Sequence, residues 1–537
     1  MNRGAAKPSI ERLNTKAAGI IGLAVMCSRV LGLIREMVCA ALFGGGGAMD
    51  AFTAAFRIPN LLRDLFAEGA LSTAFVTTFS KTVVRGGDRA AWRLADKVAT
   101  MTVLVLGAVC VAGMLCSTQL VALLAPGFGP EKAALTAQLT RIMFPFILLV
   151  SMAALVMGML NAKNVFGMPA MASSFFNIGS IVGGVVLGYW IDPHFGPRAL
   201  IGLAVGTLIG GALQLGVQLP SLGRLGYRFR PDFQWRDAGV SAILALMGPS
   251  VIAASTTQVN VLVNSMFAST LGDGRIFWLS IAFRLMQLPL GIFGVALGTV
   301  TLPLLSRLVV AGQMDAFRSE LSRGMRLAFL LTIPSTVGLV MLADPIISVL
   351  YQHGKFSAYE ASEAAGALRF YAIGLAGYAA LKVLVSAFYA LDRRKTPMLV
   401  SFMAVALNLL FNWIFTFRLG WGHRGLAFST GCVASCNFLV LYGLMHRQLQ
   451  GLESRQMLTL LAKVVLASVP LVAVCAAASH WLLADWATQG TPGKATALLT
   501  TVLAGAAVFI GAGAMLRIAE LDELFVALKR RLRRVSG

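Results

Sequence analysis

Residues 28–80 read SRVLGLIREMVCAALFGGGGAMDAFTAAFRIPNLLRDLFAEGALSTAFVTTFS. At about 20 apolar residues per span, the stretch is long enough to cross a bilayer twice. It nevertheless carries Arg29, Arg35, Arg57 and Arg63 among apolar neighbours. An arginine at the centre of a membrane helix costs about 2.5–3.5 kcal/mol on insertion scales, so such residues face a bundle interior or a watered cavity and meet something anionic. Several of them in one stretch point to transport.

The whole chain agrees with that reading. Its 537 residues are 57% hydrophobic and only 13% charged, with a mean hydropathy of +0.78, a composition outside the range of soluble enzymes. It is an all-α polytopic membrane protein. The net charge of +22 would suggest nucleic acid in a soluble chain. Here the basic residues sit in short connections, where the positive-inside rule puts them, without stacking aromatics or a recognisable binding module, so nucleic acid is excluded as a partner. The seven cysteines lie mostly in apolar runs with no CxxC, so no disulfide framework or metal site follows. The basic N-terminus leads into an apolar stretch interrupted by Arg29 and Arg35, which reads as a retained first helix and not as a signal peptide.

Apolar runs place about fourteen helices, near 15–43, 50–80, 93–124, 135–161, 168–191, 198–220, 238–270, 275–305, 325–350, 360–391, 397–417, 424–446, 458–484 and 495–517. The N-terminus, 81–93, 221–237, 306–326, 392–396, 446–457 and the tail are basic. The alternate connections are nearly free of Lys and Arg, which puts both termini in the cytoplasm. An internal repeat supports the count: Ala55-Phe56-Arg57 recurs as Ala282-Phe283-Arg284, and polar turns end at Pro169 and at Pro397. Duplicated halves of this kind are common in transporters. They give an N-lobe over 1–222, a C-lobe over 223–448, and two further helices with a basic tail over 449–537. The tail begins with an amphipathic LDELFVAL stretch, either a surface segment for an anionic leaflet or a topology anchor.

Within the apolar helices the arginines are the candidate functional groups, because a planar guanidinium grips phosphate bidentately and keeps its charge when desolvated. Arg29 and Arg35 are six residues apart, like Arg57 and Arg63, which on a helix is about 120° in azimuth. Each pair therefore need not face one cavity. The plainer alternative is snorkelling, or pairing with Glu36, Asp50, Asp64 or Glu68. Arg284 has no acid within eight residues along the chain. Pro59 removes a backbone bond inside the second helix, so a bend or break is expected at 58–60, with Asn60 satisfying freed groups. GGGGAMD at 44–50 lacks the Lys-Ser/Thr of a nucleotide loop and reads as a flexible outer turn. Arg141, Arg369, Lys382 and Lys463 are placed at helix ends, and Gly179, Gly183, Gly184 and Gly188 as a close-packing stripe. With no ATPase motif, energy must come from an ion gradient, the membrane potential or the substrate's own gradient.

SRVLGLIRE, the Asp50-Ala51-Phe52 helix start, FRIPNLLRDLFAEGALSTAFV and GVALGTVTLPLLS resemble the MurJ (MviN) lipid II flippases. The resemblance is dense in the first 80 residues and around 280–306, and weaker over almost the whole chain. It implies the multidrug/oligosaccharidyl-lipid/polysaccharide exporter fold: two six-helix lobes around a central cavity, plus two terminal helices forming a groove for a lipid tail. It also implies a bacterial cytoplasmic membrane protein that moves lipid II to the outer leaflet by alternating access. Carried onto this sequence, it makes Arg29, Arg35, Arg63 and Arg284 the groups that hold the pyrophosphate headgroup. Glu36, Asp50, Arg57, Asn60, Glu68 and Gln287 become polar cavity or gating positions, and Pro59 a hinge. Membrane lipids and the cell-wall synthesis machinery are the further partners implied, with no cofactor beyond ion or potential coupling. Phe283 and Gln287 stand where many relatives carry acids flanking the arginine. Asn408 and Asn412 stand where some relatives place an Asn and an Asp for a sodium ion. The alternatives are an exporter of the same fold working by ion antiport, which would favour an acid inside the C-lobe, and a membrane enzyme acting on polyprenyl phosphates, which would need clustered acids or a His-Arg set.

Overall fold

The computed structural model describes residues 15–64, 71–483, 490–524 and 526. Among these residues the chain is helical with no strand. The helices are α1 (Thr15–Phe43), α2 (Gly47–Arg63), α3 (Ser72–Leu115), α4 (Ser117–Leu124), α5 (Pro130–Met143), α6 (Phe146–Ala162), α7 (Gly167–Ile191), α8 (Leu200–Gly216), α9 (Leu219–Arg224) and α10 (Ala238–Ser269). They continue as α11 (Arg275–Pro289), α12 (Ala296–Val310), α13 (Met314–Met341), α14 (Ala343–Tyr351), α15 (Ala358–Ile373), α16 (Leu375–Ala390), α17 (Lys395–Trp413), α18 (Gly422–Gln448), α19 (Ser454–Trp481) and α20 (Thr491–Met515). Ten helical stretches among the described residues are long and apolar enough to cross a membrane, and an eleventh is the pair α15 and α16, bent by 42°.

The duplication is visible in the element boundaries. Helices open at Pro130 and Ala358, close at Ala162 and Ala390, and open again at Gly167 and Lys395, each pair separated by the same offset. One long expected helix, 135–161, is broken at Phe144-Pro145, and its counterpart, 360–391, is broken at Gly374. The expected span 325–350 is α13 plus a short α14. Two basic stretches expected as connections are mostly helix. Residues 81–93 lie within α3, which turns at Gly87 in the left-handed region (φ 69°), and 306–326 shrinks to a turn between Val310 and Met314. Arg and Lys are good helix formers, so these basic runs stay helical on either side of the breaks at Gly87 and between Val310 and Met314.

By contact the described residues form two compact units. One holds the residues up to Cys39, Ala51–Leu123 and Gly129–Ser255, and the other holds Ala40–Asp50, Leu124–Phe128 and Thr256 onward. Residues 223–255 thus group with the first unit, because the segment after α9 is fastened to α3. Tyr227 Oη donates to Asp96 Oδ1 at 2.8 Å and the Arg230 amide to the same oxygen at 3.1 Å. The Asp232 amide donates to Thr100 Oγ1 at 3.0 Å, and Lys97 Nζ meets Asp237 Oδ2 at 2.8 Å. The hydrogen bond from Lys97 holds the Asp237 carboxyl below the usual carboxylate range. Contrary to the expectation from sequence, this basic connection exposes aromatics: Phe229, Phe233 and Trp235 all lie at the surface.

In the first unit α7 and α8 meet along the expected glycine stripe. A Cβ on Gly206 would lie 2.3 Å from the Gly184 amide nitrogen, and one on Gly202 would lie 2.3 Å from that of Gly188. The backbones therefore approach as only glycine allows. In the second unit the segment after α20 packs back, with Ile518 and Leu521 buried. Arg326 binds both Glu453 and Glu520 at 2.6 Å, and Arg323 binds Glu523 at 2.7 Å. Residues 518–524 are therefore docked on α13, which neither reading of the tail anticipated.

Two of the helix-end cations are caps. Arg141 donates from Nε to Met114 O at 3.3 Å and from Nη2 to Ser117 Oγ at 3.2 Å, covering the end of α3. Arg369 does the same for α13, donating to Val340 O at 3.4 Å and pairing with Asp344. A cation at a helix C-terminus satisfies open carbonyls and opposes the dipole. Arg141→Ala is expected to lower unfolding stability by about 1 kcal/mol, and Arg369→Ala by more, because Asp344 loses its partner. Thermal unfolding of the purified variants in one detergent measures the difference.

Candidate functional site

Arg29 and Arg35 rise from the same helix, α1, but differ in setting. Arg29 is exposed, while Arg35 is half-buried with its guanidinium 5.1 Å from the centre of the Phe176 ring on α7. The same two helices are joined about two turns earlier on α1, where Asn177 Nδ2 donates to Ser28 O at 3.1 Å. The apolar face of Phe176 accommodates the cation because its ring quadrupole is negative above the plane. Glu36 and Arg57 are also half-buried.

The second helix carries a compact polar triplet. Arg63 donates from Nη2 to Asp64 Oδ1 at 2.9 Å and from Nε at 3.2 Å, and Asn60 Nδ2 reaches Asp64 Oδ2 at 3.5 Å. Arg63 therefore has a counter-ion in its immediate neighbour, the plainer of the two readings open from sequence. α2 runs through Pro59 to Arg63 without a break at 58–60. Glu68 lies outside the described residues.

Asp50 is wholly buried, and its carboxylate faces the first amides of α11. Gly274 N donates to Oδ2 at 2.7 Å and Phe277 N to Oδ1 at 2.9 Å. A carboxylate there satisfies orphan amides and complements the positive end of the helix. The glycine run before it is packed, not a flexible turn. A Cβ on Gly45 would lie 2.6 Å from the Phe356 ring, and one on Gly47 would lie 2.9 Å from the Asp273 carboxyl. The Gly45 amide donates to Glu360 Oε1 at 2.9 Å, and Lys355 N to Ala41 O at 2.8 Å. Sequence reasoning missed this because backbone-to-backbone approach across hundreds of residues leaves no local signal beyond the glycines themselves. Removing the Asp50 carboxylate in Asp50→Ala leaves two buried amides open and is expected to cost about 2–4 kcal/mol. Asp50→Asn keeps one acceptor and is expected to cost under half of that. Chemical unfolding followed by near-ultraviolet circular dichroism gives both values.

On α11 itself, Arg284 is half-buried and Gln287 exposed, while Phe283 packs against Tyr371 with ring centres 5.2 Å apart. The helix passes through Pro289 into a π-helical stretch, Leu290–Val295, before α12, a local unwinding found often at functional sites. Deeper in the second unit, Asn412 Nδ2 donates to Asn264 Oδ1 at 2.8 Å and to Asn408 Oδ1 at 3.1 Å, and Asn264 Nδ2 donates to Thr430 Oγ1 at 3.1 Å. The three helices that supply these groups, α10, α17 and α18, contain no Asp or Glu. The cluster is a neutral hydrogen-bonded clasp, with the Asn412 amide nitrogen between two amide oxygens and Asn412 Oδ1 buried without a hydrogen-bond partner among the described residues. Asn412→Ala strands both oxygens and is expected to lower stability by about 1–2 kcal/mol; whether salt changes the thermal midpoint of the unmodified chain separates a clasp, insensitive to sodium over potassium, from an ion site.

Apolar spanning helices in duplicated sets, with half-buried arginines on them, define a polytopic transporter of the multidrug-exporter fold. The fold is shared with a multidrug resistance MATE family transporter in its inward-facing conformation, with a TM-score of 0.67 at 14% identity over 81% of this chain and 98% of that one. It is shared more closely with a lipid II flippase MurJ in an inward closed conformation, with a TM-score of 0.75 at 24% identity over 92% and 98%. Residues 39–496 match the family model described as lipid II flippase MurJ, and the chain belongs to that family. It is 37% identical to the lipid II flippase MurJ of Burkholderia cenocepacia, over 79% of this chain and 82% of the relative. It is 34% identical to the probable lipid II flippase MurJ of Vibrio cholerae, over 94% and 96%.

Proposed function

We propose that this chain carries lipid II from the inner to the outer leaflet of the cytoplasmic membrane by alternating access, with both termini in the cytoplasm. Membership of the flippase family over most of the chain carries the reading, and the half-buried arginines on apolar helices give it a physical basis. Lipid II presents a pyrophosphate that must leave water on its way across, and guanidinium forks replace that water with charge-assisted hydrogen bonds. Arg29 and Arg35 on α1, Arg63 on α2 and Arg284 on α11 are the groups assigned to the headgroup. For Arg63 the pyrophosphate competes with Asp64. Arg35 keeps its cation on the Phe176 ring, at a cost in solvation lower than an aliphatic wall would impose. Coupling to an ion gradient or to the membrane potential supplies the direction, and no catalytic step is required of any residue. The cell-wall synthesis machinery is the natural consumer of the product.

Outward exposure of lipid II, read by an impermeant label in cells depleted of their own flippase, tests the assignment. The intact chain is expected to restore exposure. Arg284→Ala, at equal membrane amount, is expected to reduce it about ten-fold or more, the loss of one charged hydrogen bond to phosphate. A made and inserted chain that leaves lipid II inside would overturn the reading.

A further inference from the structure

The connection 225–237, LGYRFRPDFQWRD, is built unlike a solvated loop. Its acids are committed to its own architecture. Asp237 pairs with Lys97 and accepts the Gly239 amide at 2.8 Å, and Asp232 accepts the Gln234 amide at 2.9 Å. Its backbone is pinned to α3 through Asp96 and Thr100, and Tyr227 stacks against Trp92 with ring centres 5.0 Å apart. The remaining side chains point away from that framework. Arg224, Arg228, Arg230 and Arg236 are exposed, as are Phe229 at 48%, Phe233 at 68% and Trp235 at 64%. Among the described residues none of these four arginines forms an ion pair.

A segment with its acids turned inward and its arginines and large aromatics turned outward is matched to a surface that is anionic on one side and apolar on the other. The ends of the flanking helices fix where that surface is. The strap begins where the apolar stretch Pro197–Arg224 ends and finishes where α10 begins, so it runs at the level of a membrane–water boundary. Aromatic rings settle at headgroup depth, and arginines there meet lipid phosphates. We propose that residues 224–236 form a binding strap for anionic phospholipid headgroups, with Phe229, Phe233 and Trp235 seated at headgroup depth against the first carbons of the acyl chains and the four arginines on the phosphates. The partner is the membrane's own anionic lipid, and the rigid attachment to α3 means that the strap is presented ready-made and not ordered by the lipid.

The proposal does not depend on the transported substrate, and its test uses no transport. The full chain in a neutral detergent is titrated with phosphatidylglycerol or with phosphatidylcholine, and bound lipids are counted by native mass spectrometry. The intact protein is expected to retain phosphatidylglycerol preferentially. Arg228→Gln/Arg230→Gln/Arg236→Gln is expected to lower its phosphatidylglycerol affinity by about ten-fold or more while leaving phosphatidylcholine binding unchanged. Phe233→Ser/Trp235→Ser is expected to weaken both lipids. An unchanged thermal midpoint in detergent alone shows that the variants fold. If the folded arginine variant keeps the intact protein's phosphatidylglycerol affinity, the strap is not a lipid site and the proposal fails.

Discussion

Hydrocarbon offers no water to an open helix end, and each place where this chain stops or starts a helix within the bundle must find its own partners. The chain breaks its helices often, at 115–117, 143–146, 341–343 and 373–375, so the fold depends on how those ends are closed. Arg141 and Arg369 reach the last carbonyls of α3 and α13, and the buried carboxylate of Asp50 reaches the first amides of α11. The charged groups inside this protein are in large part occupied with backbone.

That occupation divides the charges into two kinds. Some are consumed locally: Asp96 on the strap, Arg326 on Glu453 and Glu520, Asp50 on a helix start. Others stand on apolar helices with softer company, as Arg35 does over Phe176. A charge of the first kind, once removed, leaves a buried partner exposed and registers as lost stability. A charge of the second kind can exchange its contact for an arriving anion at smaller structural cost than one held in a buried ion pair. The neutral Asn264–Asn408–Asn412 clasp adds a third arrangement, polar and buried without any charge.

The all-α membrane class was legible because apolar run length and loop charge report directly on lipid, and the duplication was legible because Ala55-Phe56-Arg57 survives in both halves. The breaks within spans were less legible. The step between α13 and α14 is marked within 325–350 by Asp344-Pro345 at the start of α14, a signal that the apolar run length of the span overrode. Of the candidate residues, the arginines were found by their cost in lipid. The role of Asp50 was hidden because the amides that donate to it lie more than two hundred residues away. Pro59 does not end α2, because a proline's lost bond can be absorbed without stopping the helix.

The path of the chain between the two units carries one more implication. Residues Ala40–Asp50 and Leu124–Phe128 belong with the second unit although the helices on either side of them belong with the first. A polypeptide ending near residue 255 would carry those two pieces away from the body they complete, and one beginning at 256 would lack the Asp50 carboxylate that accepts the Gly274 and Phe277 amides. The two halves of this duplicated sequence are therefore no longer separable as gene fragments. Whatever ancestral unit was copied to make them, the second unit now includes two segments encoded among the residues of the first.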